Sequence, residues 1–211
     1  MKDITLYDYW RSSASYRVRI ALNLAKIEYK TVPVDLLKGE QRSEVHLTRQ
    51  PQGFVPVLEV DGQRFTQSLA IIEYINETYN LGLLPEKIAD RTKVRALAQT
   101  LAIDVHPVCN LAVTNFAVEL SGSQETRPIW IKSFIEPGLK AFETLLSAFE
   151  QSPYCTGSDV SVADVCLMPQ IYNATRWGTS IDKYPRIVSV VSACNADSAF
   201  VTAHPDNARN N

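Results

Sequence analysis

The order of secondary-structure signals predicts a chain of two domains, α/β at the N-terminal end and all-α beyond it. Three observations carry that expectation: a strand–helix–strand pattern up to Val34, a strand–turn–strand–helix pattern from Val55 to Tyr79, and the near-disappearance of strand signals after Ile88.

Ile4-Thr5-Leu6-Tyr7 alternates as a half-buried strand does, and after Tyr9-Trp10-Arg11 comes Ser12-Ser13-Ala14-Ser15, a serine cluster of the kind that caps helices. Val18, Ala21, Leu22 and Ala25 recur at helical spacing while Arg17, Arg19 and Lys26 point elsewhere, which predicts an amphipathic helix ending near Lys26. Tyr29 to Val34 reads as a second strand, and so short a strand–helix–strand unit implies parallel pairing. Val55 to Val60 and Arg64 to Thr66 flank Asp61-Gly62, a hairpin dipeptide. Ser68 opens a helix to about Tyr79 whose apolar sets, Leu69, Ile72, Ile75 and Ala70, Ile71, Tyr74, suit packing on a sheet. The order βαβ then ββα is that of the thioredoxin fold.

Gly82 and Pro85 interrupt the periodicity between Asn80 and Ile88, as an interdomain linker does. Helical stretches are expected over 91–118, 129–151, 161–175 and 187–200, with a polar loop over 121–127 and a poorly ordered tail over 202–211. The expected domains are therefore a thioredoxin-like one over 1–80, a linker over 81–88 and an all-α one over 89–211. Ser161 and Asp164 form a capping-box pattern and are assigned to helix initiation, outside any active site.

A hydrophobic fraction of 45% is enough for a substantial core, and 21 basic and 23 acidic residues are interspersed to a net charge of −2. That balance offers no field to hold nucleic acid or anionic lipid. The expectation is a cytoplasmic chain, because no secretion signal is visible and no apolar run approaches the roughly 18 residues of a membrane span. Cys109, Cys155, Cys166 and Cys194 have neither CxxC nor zinc-ligand spacing, so reduced, buried thiols and no metal are expected.

The run Arg11-Ser12-Ser13-Ala14-Ser15-Tyr16-Arg17-Val18-Arg19-Ile20-Ala21-Leu22 resembles the active-site signature of the zeta-class glutathione transferases, the maleylacetoacetate isomerases. Val55-Pro56, Gln67 to Tyr74, Leu83-Leu84-Pro85, His106-Pro107 with Asn110-Leu111, Ser161 to Asp164, Pro169-Gln170, Asn173-Ala174 and Arg176 agree with it in order along the chain. The resemblance implies a homodimer that uses glutathione as cofactor. Its activity would be cis–trans isomerisation of maleylacetoacetate, an unsaturated keto-dicarboxylic acid of tyrosine and phenylalanine breakdown, by reversible addition of the glutathione thiolate.

Site roles follow from the same resemblance. Ser12 or Ser13 stabilises the thiolate, with Ser12 favoured, at a helix start whose dipole and N–H groups suit an anion. Val55, before a proline expected in the cis form, pairs with the cysteinyl backbone of glutathione; Gln67 and Ser68 receive its γ-glutamyl carboxylate, and Gln41 approaches its backbone. His106 and, one helical turn on, Asn110 reach glutathione from the helical domain, while Arg176 and Arg11 hold substrate carboxylate or enolate oxygen. Two departures bear on the substrate. Ala14 stands where some zeta-class chains have cysteine, and Ala112 where some bacterial relatives have arginine. The alternatives are maleylpyruvate isomerisation, glutathione transfer to or dehalogenation of small α-halo acids, and a non-catalytic interaction module that keeps the fold.

Overall fold

The computed structural model describes residues 3–209, which fall into two compact units. The first takes the chain up to Leu81 together with everything from Asp197 on; the second runs from Gly82 to Ala196.

The first unit is built on a four-stranded sheet with strands β1 (Ile4–Asp8), β2 (Lys30–Pro33), β3 (Val57–Val60) and β4 (Gln63–Thr66) in the order β2-β1-β3-β4. β1 pairs parallel with β2 and antiparallel with β3, placing Leu6 opposite both Thr31 and Leu58. Its pleat buries Ile4, Leu6 and Asp8, so a carboxylate ends the row of apolar side chains. Asp61 and Gly62 join β3 to β4 with φ of 49° and 81°, the two left-handed residues that a tight hairpin of matching twist requires. Helices α1 (Ser13–Leu24) and α3 (Ser68–Tyr79) pack on each other, and Ile20, Leu22, Ile71, Ile72 and Ile75 complete the core with Leu6 and Leu58. A short α2 (Glu44–Leu47) lies between β2 and β3 in sequence. The expected thioredoxin order is observed.

Two expectations for this unit are corrected. Arg17 and Arg19 do not point to solvent: they are only 4% and 2% exposed, because α1 is packed on more than one side and everything from Ser15 to Leu22 is buried. Nor is the C-terminal tail loose, or part of an all-α domain reaching residue 211. After a break at Asp197, α9 (Ser198–Ala203) packs on α1, and α10 (Pro205–Ala208) follows it. The Arg19 Nε and Asn23 Nδ2 groups donate to the carbonyls of Ala203 and Ala199, each at 3.0 Å, which ties this segment to the first unit. Residues 210 and 211 of the expected tail lie outside the described residues.

The second unit contains α4 (Ile88–Ala102), α5 (Leu111–Ser121), α6 (Thr126–Leu146), α7 (Val162–Arg176) and α8 (Pro185–Ala196), with α7 packed against α4. α7 is buried almost throughout from Val162 to Ile171. The Asp164 carboxylate, fully buried, accepts from the N–H groups of Cys155 and Ser161 at 2.8 Å each and from the Ser161 hydroxyl at 2.7 Å, a capping box without access to solvent. The helix expected over 91–118 is two helices. It breaks after Ala102 because Pro107 heads a separate 3₁₀ turn and Asn110 caps α5, its Oδ1 accepting from the Val113 N–H at 3.0 Å. The stretch 187–200 divides in the same way, where Asp197 caps α9 through the Ala199 N–H at 2.8 Å.

Candidate active site

The first unit gathers its polar residues where β1 gives way to α1 and where β4 gives way to α3. Ser12, not Ser13, is the N-cap of α1: its backbone is extended, its N–H donates to the Tyr9 carbonyl at 2.8 Å, and its Oγ accepts from the Ser15 N–H at 3.2 Å. A capping hydroxyl accepts through a lone pair and keeps its proton to donate. Half-buried Ser12 therefore presents an O–H beside the first-turn N–H groups of a twelve-residue helix, a combination that favours a bound anion.

The loop that carries Ser12 is held from beneath by Arg19. Its Nη1 donates to both Asp8 carboxylate oxygens at 2.9 and 2.7 Å, and its Nη2 donates to the Trp10 carbonyl at 2.9 Å. Both side chains of this ion pair are 3% exposed. Arg11 lies above the same loop, its Nη2 donating to the Tyr9 hydroxyl at 3.0 Å and its guanidinium 4.8 Å from the Trp10 ring centroid. Burial, the largest influence, pushes the nearby Tyr29 hydroxyl up to about 12, so it stays protonated.

At the second corner Gln67, not Ser68, occupies the N-cap position of α3, with φ 65° and ψ 107°. A non-glycine residue held there is a local strain of the kind that gathers at functional sites. Ser68 is the first helical residue, and its buried Oγ accepts from the Arg17 Nε at 3.1 Å. The Gln67 amide donates to the Gln52 Oε1 at 3.1 Å, and Gln52 is fixed in turn by Gln50, whose Oε1 receives the Gln52 N–H at 2.6 Å. Gly53 closes this loop. A Cβ there would meet the Gln41 carbonyl oxygen at 2.8 Å, and φ is 67°. Val55, before a cis peptide bond to Pro56, stands ahead of the paired residues of β3.

Glutathione needs donors for its γ-glutamyl carboxylate and its thiolate, and backbone partners between them. The chain supplies an anion-favouring start on α1, another on α3 with the Ser68 hydroxyl, and the Val55 backbone between them. The buried Gln41 Oε1 has no partner among the described residues and suits an incoming N–H. These residues fit the tripeptide.

Three expected site residues belong to the second unit. His106 is half-buried at the head of the Pro107–Cys109 turn, and Asn110 caps α5, so the two are not successive turns of one helix. Arg176 is the exposed last residue of α7, with its guanidinium 5.0 Å from the Trp177 ring centroid. Residue-by-residue reading missed Asp8, Arg17 and Arg19 as parts of the site. The signal was present in β1, whose alternation aims Asp8 inward with Ile4 and Leu6 and so calls for a buried cation. All four cysteines are buried and outside any disulfide, and none is near the Ser12 loop in sequence.

A profile described as "Glutathione S-transferase, N-terminal domain" matches residues 2–77. The maleylacetoacetate isomerase of Rhizobium meliloti (strain 1021) is 50% identical over 209 residues, covering 98% of this chain and 98% of that protein. Among solved structures, the holo form of a maleyl pyruvate isomerase, described as a bacterial glutathione-s-transferase in zeta class, superposes with a TM-score of 0.93 at 35% identity, covering 96% of this chain and 97% of that one. The maleylacetoacetate isomerase of Anaeromyxobacter dehalogenans 2CP-1 gives 0.87 at 37% identity, covering 98% and 96%, in structures holding GSH or dicarboxyethyl glutathione and citrate in the active site.

Proposed function

From the premise that the chain belongs to the glutathione S-transferase family, in its maleylacetoacetate isomerase branch, we propose that it converts maleylacetoacetate to fumarylacetoacetate with glutathione as cofactor. Bound glutathione supplies a thiolate that adds reversibly to the cis double bond, so the carbon–carbon bond turns before elimination restores it. The chain's own residues supply binding, orientation and charge. Ser12 donates a hydrogen bond from its hydroxyl to the thiolate while its oxygen caps α1, and Ser13, next along the helix, contributes less.

Gln67 and the Ser68 hydroxyl, positioned by Arg17, take the γ-glutamyl carboxylate. Val55 offers backbone pairing, Gln41 accepts an N–H, and His106 and Asn110 are assigned polar contacts to the tripeptide. Arg11 and Arg176 bind substrate carboxylate or enolate oxygen by charge-assisted hydrogen bonds. The reading also carries a homodimer, a cytoplasmic location and a place in tyrosine and phenylalanine breakdown, with no nucleic-acid or membrane partner. A monomeric mass at micromolar concentration counts against the dimer.

The observation that carries this reading is Ser12 at the cap of α1, accepting from Ser15 and so left with its proton to donate. Maleylpyruvate isomerisation is the second reading, favoured by the 0.93 TM-score to a maleyl pyruvate isomerase. Turnover of the two substrates, each with and without glutathione, tests both. The first reading expects glutathione-dependent turnover with a higher kcat/KM for maleylacetoacetate; the reverse order establishes the second, and no turnover of either overturns both.

A further inference from the structure

A cavity of about 500 Å³ opens beside the Ser12 loop, entirely within the first unit, between the end of β1, the stretch after β2 and the C-terminal turn that follows α10. Tyr9, Trp10, Val34 and Leu37 give it an aromatic and aliphatic wall. Its charged groups are Asp8, Asp35, Arg11 and Arg209. The carboxylates are engaged: Asp8 by the buried Arg19, and Asp35 by the Leu37 N–H at 2.9 Å and Lys38 at 3.7 Å. The cations have ring and hydroxyl contacts but no counter-charge. Neither Arg11 nor Arg209 has a carboxylate partner among the described residues, and their guanidinium carbons lie 4.8 and 5.0 Å from the same Trp10 ring centroid. Two like charges gathered on one ring repel unless an anion joins them.

The backbone segments that carry both arginines are held in place. The Arg19 Nη2 fixes the Trp10 carbonyl and its Nε the Ala203 carbonyl, so one buried side chain anchors the loop bearing Arg11 and the segment leading to Arg209. The Asn207 amide donates to the Val201 carbonyl at 2.7 Å and the Arg209 N–H to the Pro205 carbonyl at 3.0 Å, closing the last turn. The turn that carries Arg209 is thereby ordered, and its exposed side chain reaches the cavity wall at Trp10.

We infer that Arg209 is a specificity-determining residue: with Arg11 it takes the two charges of a dicarboxylate whose carbon chain lies along the Trp10 wall. At most the sum of their two ring distances separates the guanidinium carbons, a span that an unsaturated keto-dicarboxylate bridges. The cavity so lined prefers dianions to monoanions. The identity of the physiological dianion rests on the isomerase reading; the dicarboxylate site does not.

The test uses the full chain saturated with glutathione, titrated calorimetrically with succinate and with propionate, for the native protein, Arg209→Gln and Arg209→Lys. Native protein is expected to bind succinate at least tenfold more tightly than propionate. Arg209→Gln should lower that preference about tenfold, Arg209→Lys should restore part of it, and the KM for maleylacetoacetate should rise about tenfold in Arg209→Gln. An unchanged succinate affinity in Arg209→Gln, or an equal loss for both acids, overturns the inference. Loss of succinate preference in a protein that turns over no maleylacetoacetate upholds the site and overturns the isomerase reading instead.

Discussion

Replacing Arg19 by methionine should be among the most damaging single changes to the first unit. The side chain is 2% exposed and gives two hydrogen bonds to Asp8, one to the Trp10 carbonyl and one to the Ala203 carbonyl. Methionine fills much of the volume but leaves the Asp8 carboxylate, itself 2% exposed, without its partner. Removing one member of a buried ion pair costs about 3–5 kcal/mol. For a chain of this length each kcal/mol moves the melting temperature by about 2–4 °C, so calorimetry should show a fall of roughly 6–20 °C. Replacing both members with apolar residues, Asp8→Leu with Arg19→Met, should recover at least half of the loss, since no charge is then stranded. A single variant that melts within 2 °C of the native protein, or a double variant worse than the single, would refute the assignment of Arg19 as the clamp of this loop.

The corner at α3 gives a second expectation. Ser68→Ala removes the acceptor of Arg17 and a donor for the γ-glutamyl carboxylate, and should weaken glutathione binding about tenfold by calorimetry; unchanged affinity would mean the hydroxyl serves only Arg17. The cysteines give a third. Burial raises the Cys109 thiol to about 11 and the Cys155 thiol well above its usual range, so both stay protonated at pH 8, Cys109 with roughly one part in a thousand as thiolate. Iodoacetamide at that pH should leave these two unmodified in the native protein and alkylate them in urea, by mass spectrometry; rapid native labelling at Cys155 would contradict its burial.

Much of the fold was legible because its signals are local. Period-two alternation in β1, Asp61-Gly62 in the hairpin and the capping box at Ser161 each act within a few residues. The errors arose where distant packing decides. Arg17 and Arg19 look solvent-directed on a helical wheel, and only the partners Ser68, Asp8 and Ala203, brought by other elements, make them interior residues. The tail reads as loose for the same reason, since its stability comes from α1. At the site, the serine cluster marked the helix start, but choosing Ser12 as cap required backbone geometry: its extended φ and ψ precede the helical residue Ser13. Gln67 at the cap of α3 was hidden likewise, because a positive φ at a glutamine has no sequence signature.

In the proposed mechanism, Ser12 and the start of α1 keep the glutathione thiol ionised near neutral pH. A free thiol of this kind titrates near 8.5, and each unit of depression reflects about 1.36 kcal/mol of preference for the anion. A hydrogen bond to a charged acceptor is worth about 1.5–3 kcal/mol, so the Ser12 hydroxyl alone accounts for about one unit or more. Ultraviolet titration of the bound thiolate measures this directly. The account predicts a midpoint below that of free glutathione, raised by about one unit or more in Ser12→Ala and by less in Ser13→Ala. A midpoint that Ser12→Ala leaves unchanged, in a protein that still binds glutathione, would contradict it.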